Sequence, residues 1–171
     1  MEWPWDPSAI GPEERQCDLC LNRTCDCVQT AVSDAVPKIV PAGDMGEGVE
    51  ATVPYSVNQF IGELVGELVP LGGHNDGWGA ELCRDDLGDG FQAICLVYCR
   101  DAGNWGRKVN HSCDPNTEFL SLPISGKWRI IFNAIKPIQA GDAITVSYGE
   151  SYWKTGRCLC KSELCIDQGT S

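Results

Sequence analysis

The pattern of apolar and polar positions is that of short extended runs separated by turn-forming residues. From position 37 the chain turns strand-like: Lys38, Ile39 and Val40 form one run, residues 41–44 make a turn, and residues 45–54 continue extended through Val49, Ala51 and Val53. Residues 59–69 are ambiguous, because Ile61, Leu64, Val65 and Leu68 fit a helical stripe. Gly62, Gly66 and the closing Pro70 weigh against a stable helix. Residues 71–90, rich in Gly and Asp, predict a loop with hairpin turns. Its aspartates lack the order of a calcium loop and read as a solvated face, with His74 as a surface residue. Residues 91–99 are almost continuously apolar and predict a buried strand, with Cys95, Cys99 and Cys83 as small core side chains. Two further strands are expected at 127–133 and 142–148; alternation in the second puts Ile144, Val146 and Tyr148 on one face.

At 171 residues and 43% hydrophobic, the chain fits one compact domain. The first residues lack the basic flank and apolar core of a secretory signal, and no apolar run is long enough to span a membrane. The formal charge of −11, with 13 scattered Lys and Arg, argues against nucleic-acid binding, which needs clustered cations. An acidic surface attracts basic peptides, or simply confers solubility. Residues 1–16, rich in Pro and Trp, read as an irregular arm without chemistry.

Eleven cysteines admit a disulfide framework or metal sites, and an odd count without a signal peptide favours metal in a reducing compartment. Cys17, Cys20, Cys25 and Cys27 are spaced C-x2-C-x4-C-x-C, within reach of one tetrahedral ion. Such a four-thiolate site is structural; free thiols are the alternative. Near the C-terminus Cys158, Cys160 and Cys165 follow C-x-C-x4-C and supply three ligands, so a fourth is needed.

Residues 110–116, Asn-His-Ser-Cys-Asp-Pro-Asn, would alone be a turn. Their company is more specific: Gly103-Asn104-Trp105-Gly106-Arg107 before them, Val146-Ser147-Tyr148-Gly149 and the cysteine tail after them. In this order they resemble the C-terminal half of the SET-domain protein lysine methyltransferases, and with the upstream motifs the resemblance covers nearly all of residues 37–165. It implies a mainly β fold, with small curved sheets around a pseudoknot and two structural zinc clips. Residues 1–34 would be an arm with a reduced pre-SET-like cluster, 35–150 the SET domain with a variable insert at 71–90 that helps form the substrate groove, and 151–171 a post-SET tail.

The resemblance further implies transfer of methyl groups from S-adenosylmethionine to a lysine, most plausibly in a histone tail, by a monomeric nuclear protein. Tyr148 would be catalytic. Met45, Gly46, Glu47 and Gly48 would line the cofactor pocket, with Met45 and Glu47 offering backbone. Asn110 and His111 would hold the cofactor, braced by Asn104 and Arg107. Tyr152 or Trp153 would lie near the adenine, simple core packing being the alternative. Cys113 would be the fourth ligand of the tail zinc. Residues 63–67 match the family's E-Y-x-G-E strand, which favours a strand over a helix there.

Three departures stand out. Leu64 replaces the aromatic wall of the lysine channel, Lys108 puts a charge where a core aromatic is expected, and Val146 replaces a Phe or Tyr. A smaller residue at 146 leaves room for di- or trimethylation. The departures also leave open a catalytically silent peptide-binding module, or a scaffold turned to small-molecule chemistry.

Overall fold

The computed structural model describes residues 6–10, 16–149, 152 and 157–166. Ten strands are formed among them. The larger sheet contains β1 (Lys38–Pro41), β2 (Glu47–Glu50), β3 (Phe60–Glu63), β7 (Asn110–His111), β8 (Thr117–Ile124), β9 (Lys127–Ala134) and β10 (Ala143–Val146). Its order is β1-β2-β10-β8-β9-β3, with β7 alongside β10. The smaller sheet, of β4 (Glu67–Pro70), β5 (Gly79–Arg84) and β6 (Gln92–Tyr98), has the order β4-β6-β5. The described helices are α1 (Cys27–Thr30), a single turn, and two short 3-10 turns.

The largest ladder is the β8–β9 hairpin, in register from Thr117↔Ala134 to Ile124↔Lys127. Its two-residue turn, Ser125–Gly126, has positive φ at both positions (50° and 79°), the geometry that matches strand twist. Strand β9 is buried on both faces. Trp128, Ile130 and Phe132 enter the main core, where the Phe132 ring lies 5.1 Å from both Trp105 and Phe119. Ile131 on the opposite face packs with Ile124 and Cys17, beneath the N-terminal cysteines.

Strand β8 was not anticipated: its Glu118, Ser121 and Pro123 interrupt the apolar pattern, and pairing with β9 outweighs them. The 59–69 segment also differs from one continuous strand. It is two, β3 and β4, which join different sheets. The link is held by Leu64 N–H to Ile130 O (2.9 Å) and Val65 N–H to Asn104 Oδ1 (3.3 Å). The two glycines that weaken a helix there mark close approaches. A Cβ on Gly62 would meet Trp105 at 2.3 Å, and one on Gly66 would meet the Tyr98 carbonyl at 2.5 Å.

The 71–90 segment is not all loop, since β5 lies within it and buries Leu82 and Arg84. A register shift between Leu82 and Cys83 leaves Cys83 only half-buried, whereas Cys95 and Cys99 are core residues as expected. Exposed His74 stacks on Tyr98, with ring centroids 4.0 Å apart. Residues 6–10 of the arm are docked: Arg84 Nη1 donates to the carbonyls of Pro7 (2.8 Å) and Ala9 (3.0 Å), and Trp128 N–H donates to Ser8 O (2.8 Å).

Candidate active site

Residues 110–117 are tied to β10 along their length. Asn110 and His111 pair in parallel with Thr145 and Val146. Ser112 N–H donates to Val146 O (3.1 Å). Asn116 accepts from Thr145 N–H at 2.9 Å and donates to Ala143 O at 2.8 Å, while Thr117 Oγ1 donates to Thr145 O at 2.7 Å. Side chains thus replace ladder partners where the chain is too irregular to form a strand, which satisfies buried backbone groups. This wrapping delivers Asn110, His111 and Tyr148 to one place.

They open onto a cavity of about 490 Å³, within the range of small-molecule sites. Met45, Glu47, Trp78 and Tyr152 line it as well. Asn110 Nδ2 donates to the Glu47 carbonyl at 2.8 Å. Gly46 and Gly48 are not among the lining residues. Gly46 N–H and C=O close the turn onto Gly43 and Ala42, and a Cβ on Gly48 would stand 3.0 Å from Asn110 Nδ2. These glycines shape the turn and make room for Asn110. Asn104 caps the Trp105–Lys108 turn through Gly106 N–H (3.2 Å) and donates to Glu63 O (2.7 Å).

His111 Nδ1 accepts from Tyr148 N–H at 3.1 Å, which leaves the proton on Nε2, directed at Cys113 Sγ 3.2 Å away. Burial holds this imidazole below its ordinary pKa, so it is neutral at pH 7. Tyr148 Oη donates to the Val109 carbonyl at 2.6 Å. Burial, with a smaller contribution from Tyr152, raises the Tyr148 phenol well above its ordinary value. It is a neutral hydrogen-bonding group throughout the physiological range. The Tyr152 ring packs edge-on against Tyr148, 4.7 Å between centroids, and rests on Gly77. Trp153 lies outside the described residues.

Leu64 and Val146 are almost fully buried, at 5% and 1% exposure, and neither lines this cavity. Leu64 packs against Gly106. Lys108 departs most from expectation. The buried position is Val109, and Lys108 turns outward into the cavity, where Nζ lies 2.5 Å from Glu47 Oε2.

Eight of the eleven cysteines form two groups of four, Cys17, Cys20, Cys25, Cys27 and Cys113, Cys158, Cys160, Cys165, each with its sulfurs within 4.8 Å of one another. Tetrahedral zinc with Zn–S of about 2.3 Å holds sulfurs about 3.8 Å apart; Cys113 and Cys158 are 3.8 Å apart. In the first group, the Cys27 amide and then the Ser125 hydroxyl draw Cys25 down to about 6, against burial. Both donor sets suit zinc. Cys160 and Leu159 also line the cavity, so the second group closes one of its walls.

Trp78, Arg107 and Arg157 line the cavity too, and neither Trp78 nor Arg157 stands in a motif that marks it individually. Trp78 comes from the insert, and no local pattern links it to residues 108–111. A sequence model of the SET domain matches residues 46–149, more than half of the chain. The chain belongs to the SET domain family. It is 31% identical over 127 residues to histone-lysine N-methyltransferase Set2 of Drosophila melanogaster, covering 70% of this chain and 5% of that protein. It is 35% identical over 135 residues to histone-lysine N-methyltransferase EHMT1 of Mus musculus, covering 71% and 10%. A probable histone-lysine N-methyltransferase, set-23 of Caenorhabditis briggsae, is 29% identical over 160 residues, covering 85% and 64%. This SET domain therefore spans a small part of the first two relatives. Among the described residues, no helix is long and apolar enough to cross a membrane.

Proposed function

We propose that this SET domain transfers methyl groups from S-adenosylmethionine to a lysine side chain in a basic peptide, with a histone tail as the favoured substrate. The observation that carries this reading is the buried, neutral Tyr148 phenol, fixed by Val109 O and backed by His111 at a cavity bordered by Asn110. The names of the relatives support the histone assignment and, with it, a nuclear location. The −11 charge supports a basic partner. A monomer with the domain boundaries given above is its simplest form.

Bound S-adenosylmethionine would supply an activated methyl group on a sulfonium. Met45, Glu47, Asn110 and His111 would hold it, with Tyr152 or Trp153 near the adenine. The attacking amine must be neutral, whereas free lysine has a pKa of about 10.4. An apolar channel beside a cation disfavours the ammonium, and the proton leaves to solvent before transfer. The Val109 carbonyl and the Tyr148 oxygen would orient the amine. Holding the reacting atoms in line supplies much of the acceleration. Leu64 and Val146 would border the lysine channel, and the small Val146 favours di- or trimethylation; a product that never passes monomethyl would count against it.

The test is transfer of labelled methyl to core histones by zinc-loaded protein, comparing the native chain with Tyr148→Phe. Loss of roughly a hundredfold in rate, with the fold intact, is expected. Absence of label from folded native protein would favour a peptide-binding module; label on a metabolite alone would favour small-molecule chemistry.

A further inference from the structure

Residues 71–78 connect β4 to β5 and bring Trp78 to the cavity. Leu71 and Trp78, the large apolar side chains of this connection, both stay exposed, so burial does little to fix its path. Polar contacts fix it instead. Tyr98, which ends β6, lies against the connection: His74 stacks on its ring, and its hydroxyl donates to Asp76 Oδ2 at 2.7 Å. Arg100 Nη1 donates to the same oxygen at 3.1 Å. The other carboxylate oxygen, Oδ1, accepts from Trp78 N–H at 3.3 Å, and the Trp78 carbonyl accepts from Cys99 N–H at 2.9 Å. The Trp78 backbone is thus held on both sides, with Asp76 as its bridge to Tyr98. The Tyr98 hydroxyl, then the Trp78 amide and Arg100, hold the Asp76 carboxyl below its usual range, so it is an anion at pH 7 and accepts from all of them.

The ion pair in this knot is open to water, with Arg100 at 58% exposure, and adds little to stability. What it orders matters more. Gly77, between Asp76 and Trp78, has a φ of 81° and lies against Tyr152, whose ring a Cβ would meet at 2.6 Å. The Trp78 ring stands over Lys108, with Nζ 5.9 Å from its centre. Gly77, Trp78, Tyr152 and Lys108 all line the cavity, whereas Asp76 does not. A short stretch of backbone therefore supplies both the rest for the Tyr152 ring and an indole wall, and a displacement there moves both. Reacting groups tolerate little of this, since a shift of about 1 Å can cost a large part of the rate.

We propose that Asp76 is a positioning residue of this SET domain: by tying the Trp78 amide to Tyr98 and Arg100, it sets the wall that the insert contributes to the cavity. The inference rests on the methyl-donor reading above for what the cavity holds. Asp76 touches neither ligand nor reacting atoms and acts through Gly77 and Trp78. Its useful property is an acceptor oxygen aimed at the Trp78 N–H, and its negative charge is secondary.

The experiment measures S-adenosylmethionine binding by calorimetry on zinc-loaded protein, for Asp76→Ala and Asp76→Asn in the native chain and for Asp76→Ala in a Trp78→Ala background. Asp76→Ala should weaken binding about tenfold, the scale of one lost hydrogen bond. Asp76→Asn, which keeps an oxygen for the Trp78 amide, should stay within about threefold of native. With Trp78 already removed, Asp76→Ala should change affinity by less than about twofold, because a residue that acts through another has nothing left to act on. A merely structural role would instead multiply the two losses, and that result overturns the assignment. So does Asp76→Ala that binds as the native chain does, or Asp76→Asn that loses as much as Asp76→Ala. Should Asp76→Ala fail to fold, Tyr98→Phe takes its place: it removes only the hydroxyl that steadies the carboxylate and should weaken binding about threefold in the native chain and not in the Trp78→Ala background. Equal effects of Tyr98→Phe in the two backgrounds, or none in the native chain, overturn the assignment while the methyl-donor reading stands. A folded native protein that does not bind S-adenosylmethionine overturns both.

Discussion

A methyl group added at Gly48 would stand 3.0 Å from Asn110 Nδ2 and 3.1 Å from the Ala42 side chain, so Asn110 would have to yield by a few tenths of an ångström, which strains its bond to Glu47 O. Gly48→Ala is therefore expected to lower S-adenosylmethionine affinity roughly tenfold, about one hydrogen bond's worth, while thermal unfolding shifts by only a few degrees. Unchanged affinity in calorimetry would show that Asn110 does not need that space. Tyr148 permits a second prediction at this scale. Its folded pKa is raised by burial, so its contribution is fully present below the unfolded value of about 10. Above that pH the unfolded chain releases a proton that the folded chain keeps, and stability falls. Tyr148→Phe removes this loss. Urea midpoints of the two proteins should keep a constant offset up to about pH 10 and then move in favour of the Phe variant, by up to about 1.4 kcal/mol per pH unit. A constant offset to pH 11 would mean that the phenol is not buried as described. Lys108 marks the limit of reading residues singly. The sequence shows a charge next to Val109, but only the phase of the Trp105–Lys108 turn decides which of the two faces the cavity.

The elements were legible in proportion to how local their cause is. Strands β6, β9 and β10 carry their own apolar pattern and lie where it predicts them. Strands β5 and β8 depend on partners far along the chain, and the change of sheet between β3 and β4 has no local signature at all. The glycines are a case in point. Gly66 reads locally as a weak helix position, yet its role is to let its backbone approach Tyr98. Gly66→Ala should cost about 1–3 kcal/mol in chemical denaturation, the usual penalty for overpacking a tight contact. The hairpin tip allows a different test. Ser125 holds a positive φ of 50°, and its hydroxyl accepts from Val28 N–H at 3.0 Å and lies 3.5 Å from Cys25 Sγ. It thereby fastens the N-terminal cysteine cluster to the β8–β9 turn. Ser125→Ala keeps the backbone strain but loses the fastening. Zinc at this cluster should weaken about 10- to 100-fold in chelator competition, as for other groups that support metal ligands, while the second zinc is held normally. Equal loss from both clusters would argue against a local effect.

In the whole molecule the two cysteine clusters are expected to do different work, because β9 separates one of them from the cavity. The first packs with Ile124 and Ile131 on the face of β9 turned away from Phe132. The second places Leu159 and Cys160 in the cavity wall, and through Cys113 it contacts His111, which fixes the Tyr148 amide. Sequence spacing identified the first cluster unaided, whereas joining Cys113 to a tail some forty-five residues away required the family resemblance, since no spacing rule spans that distance. Cys20→Ser and Cys165→Ser should each reduce bound zinc from about two ions per chain to about one by metal analysis. The first should lower the unfolding temperature and leave cofactor affinity within about twofold, provided the measurement is made below that temperature. The second should lose cofactor affinity by more than about tenfold even in folded protein, because the cavity wall is released and Cys113, whose sulfur contacts His111, is no longer held in place by the metal. If folded Cys20→Ser failed to bind cofactor, or Cys165→Ser bound it normally, the division of labour between the clusters would be wrong. The same comparison separates a metal that only stabilises the fold from one that also shapes the site, a distinction that activity measurements alone would blur.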